Sequence, residues 1–147
     1  MIREEATQLI IEAKGKKGLT WEAIAKKVGK HKIWTTAALL GQHAMSKEEA
    51  NAAVKVLGLK PDVAAALQKC PMRGALEDAV PVDPTIYRFY ELIQVYGPSI
   101  KELIHETFGD GIMSAIDFSM DIQRVEDPKG DRVLVTLNGK FLPYKKF

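Results

Sequence analysis

Apolar and polar positions recur with two different periods along this chain, and the change of period divides it. Ile2, Leu9, Ile10 and Ala13 stand at roughly helical spacing, which predicts a helix over residues 2–14 stopped by Gly15 and Gly18. Thr20 is a suitable N-cap for a second helix, Trp21 to Val28, closed by Gly29. A third is expected over 31–40, before Gly41. Ser46 with Glu49 forms a capping box that opens a fourth, and Pro61 suits the first turn of a fifth, from Asp62 to about Lys69. Pro71, Gly74 and Pro81 then punctuate a linker over 71–83. Asp83-Pro84 starts a helix to Tyr96 with Gly97 as its stop, and Pro98-Ser99 starts another that ends at Gly109.

Beyond Asp110-Gly111 the period falls to two. Ile116, Phe118, Met120 and Ile122 alternate with Asp117, Ser119, Asp121 and Gln123, as in a half-buried strand. Residues 127–131 read as a turn and 133–137 as a second strand. Asn138-Gly139 reads as a tight turn into a short strand near Phe141. The expected fold class is therefore α+β: a five-helix bundle over 1–70, the linker, and a C-terminal domain over 84–147 of helices and a small antiparallel sheet. A sheet of two or three strands is weak alone in water. The tail is therefore expected to pair with another element, most simply a second copy of the chain.

Composition narrows the class. Hydrophobic residues make up 46% and charged residues 27%, which fits a soluble globular protein. No apolar run approaches the ~18 residues of a membrane span, and the acidic N-terminus lacks the core of a signal peptide. The reading is cytoplasmic, with no membrane partner. The single cysteine, Cys70, excludes a disulfide within the chain and a zinc cluster of cysteines, and reads as a small half-buried residue before Pro71. His31, His43 and His105 lack metal-ligand spacing and read as structural or surface residues. No cofactor or metal is expected.

Charge is uneven. Residues 1–69 hold twelve Lys and Arg against seven Asp and Glu, a net +5, and residues 70–147 hold nine against twelve, a net −3. The run Leu19 to Lys32 looks like a helix-turn-helix, with Lys26, Lys27, Lys30 and Lys32 in reach of phosphates. This gives an alternative function: a transcription regulator whose second half binds an effector anion. The second helix argues against it. After Thr35 and Thr36 it offers Ala37, Ala38, Leu39 and Leu40, too few polar groups to read base edges. Packing within or between subunits is the better reading, and no nucleic-acid partner is expected.

The chemistry concentrates near residue 90. At ~100° per residue, Ile86, Phe89, Tyr90, Ile93 and Gly97 share one face of a helix, with Arg88, Glu91 and Val95 opposite. The helix is apolar nearly all round, so Arg88 and Glu91 are expected to face another subunit. The plainer reading is a surface pair worth ~0.2–0.5 kcal/mol. Ser114 lies among Ile112, Ile116 and Phe118, so its hydroxyl is expected to be buried and in need of a partner, its own backbone included.

The strings Pro84-Thr85-Ile86-Tyr87-Arg88-Phe89-Tyr90-Glu91 and Phe108-Gly109-Asp110-Gly111-Ile112-Met113-Ser114-Ala115-Ile116 closely resemble the cyanase family. So do Leu137 to Pro143 and, in the helical half, Thr36 to Gln42. The resemblance spans nearly the whole chain. It implies catalytic roles for Arg88, Glu91 and Ser114, and bicarbonate-dependent decomposition of cyanate to carbamate and carbon dioxide. It further implies an intertwined C-terminal dimer, a homodecamer of five dimers with sites between them, and a helical half that resembles DNA-binding domains without binding DNA.

Overall fold

The computed structural model describes residues 1–74 and 78–147, so part of the expected linker, residues 75–77, lies outside the described residues. The chain divides into two compact units, Met1–Ala75 and Leu76–Phe147.

The first unit is all helical: α1 (Arg3–Lys16), α2 (Trp21–Val28), α3 (Lys32–Leu39), α4 (Lys47–Leu57) and α5 (Pro61–Leu67). Local chemistry sets the ends. Thr20 accepts from the Ala23 amide to start α2, and Ser46 and Glu49 complete a reciprocal box at α4. Gly29 and Gly58 close α2 and α4 with left-handed φ of 78° and 69°. Ile10, Ile24, Leu39, Leu57, Val63 and Leu67 are fully buried and form one core with small residues such as Ala6, Ala50 and Ala53 between them. The Arg3 guanidinium ties the start of the chain to this bundle. It donates to the carbonyls of Ala38, His43 and Ala66 at 2.6, 2.7 and 2.8 Å. Burial draws its pKa below the usual arginine value.

The second unit holds one helix, α6 (Pro84–Phe108), and a hairpin of β1 (Gly111–Val125) and β2 (Arg132–Pro143). Two expectations are corrected here. Residues 84–108 make a single 25-residue helix, not two. Gly97 lacks the left-handed φ that would reverse the chain, so it does not act as a C-cap. Pro98 then costs one backbone hydrogen bond without ending the helix. Asn138-Gly139 is likewise no turn. Both residues lie within β2, paired with Ser119 and Phe118, and the sheet has two strands among the described residues.

β1 begins at Gly111, ahead of the alternating run, because its first residues pair with the end of β2: Gly111 with Pro143, Ile112 with Leu142, Met113 with Phe141. The ladder resumes at Phe118 and Gly139. Residues 114–117 thus lie opposite Lys140 alone, and β1 bulges there. The far end is pinned by charge: Arg124 pairs with Asp131, and Arg132 with Asp127 at 3.0 Å. Cys70 is exposed, not half-buried, in the stretch after α5.

The two units differ sharply in burial. α6 contains no buried residue; Phe89, Ile93, Tyr96 and Leu103 are 49%, 57%, 59% and 62% exposed. Val133 and Ile116 on the hairpin are 74% and 98% exposed. Such a surface is far more apolar than a free-standing chain presents to water.

Candidate active site

Asp83 fixes the start of α6. Its Oδ1 accepts from the Thr85 and Ile86 amides, both at 2.9 Å, with Pro84 in the first helical position. Arg88 and Glu91 follow in the next turn, with Nη1 3.7 Å from Oε2. The Arg88 guanidinium carbon also lies 5.7 Å from the centre of the Tyr87 ring, which itself meets Tyr90 at 5.9 Å. The arginine therefore has a carboxylate and an aromatic face to rest on. Within one chain the pair is solvated, its side chains 67% and 51% exposed, and it stabilises the helix little.

Ser114 opens the bulge of β1 and is 5% exposed. Its Oγ accepts from the Ile116 and Asp117 amides, both at 3.0 Å. The expected burial and the backbone partner both occur. A hydroxyl has two lone pairs and one proton. Here the lone pairs are engaged, and no acceptor for the proton stands among the described residues. The Ser114 hydroxyl proton is thus left to be donated outside this turn.

One chain does not bring these groups together. Among the described residues no hydrogen bond or ion pair links Ser114 to Arg88 or Glu91. The rise of a helix places Arg88 about 30 Å along the axis from Phe108, next to the start of β1. The C-terminal end of α6 is held to the hairpin by His105, whose Nε2 lies 3.1 Å from the Gly111 carbonyl oxygen, and by Phe108 stacked on Phe141 at 5.2 Å.

The histidines have local tasks. His31 Nδ1 accepts from the Ile33 amide at the start of α3, and His43 stacks on Trp34. Among the described residues no group of three or more His, Cys, Asp or Glu is placed to hold a metal ion, and no helix is long and apolar enough to cross a membrane.

Sequence reasoning missed two neighbours of the site. Tyr87 was placed on neither face of the helix, and only the geometry sets its ring beside Arg88. Gly139 was assigned to a turn. No local signal places it, because the bulge it faces is set by pairing with residues far upstream, in β1.

Comparison with known proteins agrees with this division. Residues 3–71 match the profile described as "Cyanate hydratase, N-terminal", and residues 78–146 that described as "Cyanate lyase C-terminal domain". Cyanate hydratase from Thiobacillus denitrificans is 58% identical over 147 residues, all of both chains. That from Mycolicibacterium vanbaalenii is 56% identical over 98% of this chain and 94% of its own. The crystal structure of cyanase from T. urticae superposes with a TM-score of 0.82 at 41% identity, covering 94% of this chain and 96% of that one. The alternative of a transcription regulator finds no support, since both halves match the two domains of one enzyme family. The chain belongs to the cyanate hydratase, or cyanate lyase, family.

Proposed function

We propose that this protein is an enzyme that decomposes cyanate with bicarbonate as co-substrate, giving carbamate and carbon dioxide. Arg88, Glu91 and Ser114 form its active site. The observation that carries the reading is the charged pair of Arg88 and Glu91 set into α6, a largely apolar helix none of whose residues is buried by its own chain.

Both substrates are small monoanions, and bringing them together costs Coulomb repulsion that grows as water leaves. Arg88 offsets it with a permanent positive charge, and its planar fork suits a carboxylate-like anion. Ser114 donates its hydroxyl proton to an anion oxygen. Glu91 orients Arg88 and limits the net charge of the pocket.

Bicarbonate oxygen attacks the cyanate carbon, and the bicarbonate proton passes to nitrogen. The adduct carries two negative charges. Breaking its bridging C–O bond releases carbon dioxide, and uptake of one proton yields carbamate. Carbamate takes up a second proton and falls apart to ammonia and another carbon dioxide. The nucleophile is a substrate, so the scheme calls on no protein nucleophile and no resident metal or cofactor.

The site forms where chains meet. A helix apolar on all sides needs cover on more than one, and a second copy of the chain supplies it with closed symmetry. The assembly proposed is a homodecamer, five intertwined dimers in a ring, with Arg88 and Glu91 of some chains brought against Ser114 of others. The compartment is the cytoplasm, in keeping with a lone cysteine left free and exposed.

The test is ammonia release from cyanate with bicarbonate supplied or rigorously removed. Release that depends on bicarbonate supports the reading. Equal release without it would overturn the scheme.

A further inference from the structure

We infer that Gly139 is a positioning residue for Ser114: its lack of a side chain lets the bulge of β1 settle where it presents the serine hydroxyl. The inference rests on the assignment of Ser114 to the active site.

The pairing of Phe118 with Gly139 and of Met113 with Phe141 leaves four residues, 114–117, opposite Lys140 alone. A segment with that many surplus residues cannot stay in the plane of the ladder. It folds over β2 at Gly139. A Cβ there would fall on the Ser114 carbonyl oxygen and lie 2.6 Å from Met113 Cγ. Met113 can swing away. The carbonyl cannot, because it is backbone, and shifting it carries the Ser114 Cα and Oγ with it. The amides of Ile116 and Asp117, which hold the hydroxyl, lie in the same segment. Gly139 does not have a left-handed φ, so its backbone suits any residue. The position requires glycine for space and not for conformation. Its neighbour Asn138, paired with Ser119, is exposed and carries a side chain without conflict.

The experiment is a double-mutant cycle on the full assembled protein, reading kcat/KM for cyanate at saturating bicarbonate. It compares Gly139→Ala, Ser114→Ala, both together, and Asn138→Ala as a control. Misplacing a catalytic group by about 1 Å can cost ~100-fold. Gly139→Ala is therefore expected to lower kcat/KM by about tenfold or more, chiefly in kcat, and Ser114→Ala by at least as much. The double variant should be no slower than Ser114→Ala alone. Hydrogen exchange at the Ile116 and Asp117 amides should quicken in Gly139→Ala. Losses that multiply in the double variant, or unchanged turnover in Gly139→Ala, would overturn the inference. So would a Gly139→Ala protein that does not fold while Asn138→Ala does, since the glycine would then serve stability alone. Full activity in Ser114→Ala is a separate result, and it would remove Ser114 from the active site altogether.

Discussion

Arg88 and Glu91 stand one turn apart on α6, 3.7 Å between Nη1 and Oε2, in a setting where the neighbouring Phe89, Leu92 and Val95 are exposed as well. In water the pair contributes ~0.2–0.5 kcal/mol, too little to justify its place on stability grounds. On the proposed mechanism its value is chemical, and substitution should separate the two. Arg88→Leu should lower turnover by ~100- to 1,000-fold, the usual cost of removing a donor to developing negative charge. The thermal midpoint should barely move. Arg88→Lys keeps the charge but loses the fork and should recover only part of the activity. Normal turnover in Arg88→Leu would remove this residue from the site.

The uncovered faces of α6 predict an obligate assembly. Sedimentation of the purified protein should show a multi-chain species. Leu103→Asp places a charge on an apolar residue 62% exposed in the single chain. It should shift the protein to smaller species and remove activity in parallel. A monomer that turns over cyanate at the normal rate would contradict the arrangement of the site.

Arg3 is expected to matter for the helical unit and not for chemistry. Removing its guanidinium leaves the Ala38, His43 and Ala66 carbonyls without their donor. Arg3→Ala should cost about 2–3 kcal/mol, read as a lower urea midpoint with an unchanged slope. Residual activity at low temperature should match the parent.

The hairpin tip should respond to acid. The Lys129 amide, and then Arg132, hold the Asp127 carboxyl below its ordinary pKa. A carboxyl depressed in the folded state stabilises the tip above its unfolded pKa. That contribution is lost as pH falls through the folded value. The Asp127 carboxyl signal should therefore titrate below the ordinary aspartate range. Hydrogen exchange at the Lys129 amide should quicken over the same interval. In Asp127→Asn that acid response should be absent.

The sequence disclosed most of what is decided locally. Thr20, Ser46, Pro61 and Asp83 begin their helices where the chain announces them, because a cap is settled within three or four residues. Gly97-Pro98 misleads for the converse reason. A glycine stops a helix only when its φ turns positive, and at Gly97 it does not. Asn138-Gly139 misleads because a dipeptide suited to a turn is equally suited to a close crossing, and the bulge that crosses it lies more than twenty residues upstream. The ion pair of Arg88 and Glu91 was legible from spacing, and the burial of Ser114 from its apolar neighbours. Their proposed meeting between chains was not, because a single chain does not contain it.

Both lone pairs of the Ser114 oxygen are already committed to peptide N–H groups. Such an oxygen is electron-poor and has no base beside it to release its proton. Reagents that acylate or phosphonylate the reactive serines of hydrolases thus have little to attack here. On the proposed mechanism, the same residue type that performs covalent chemistry elsewhere serves at this bulge to hold an anion in place.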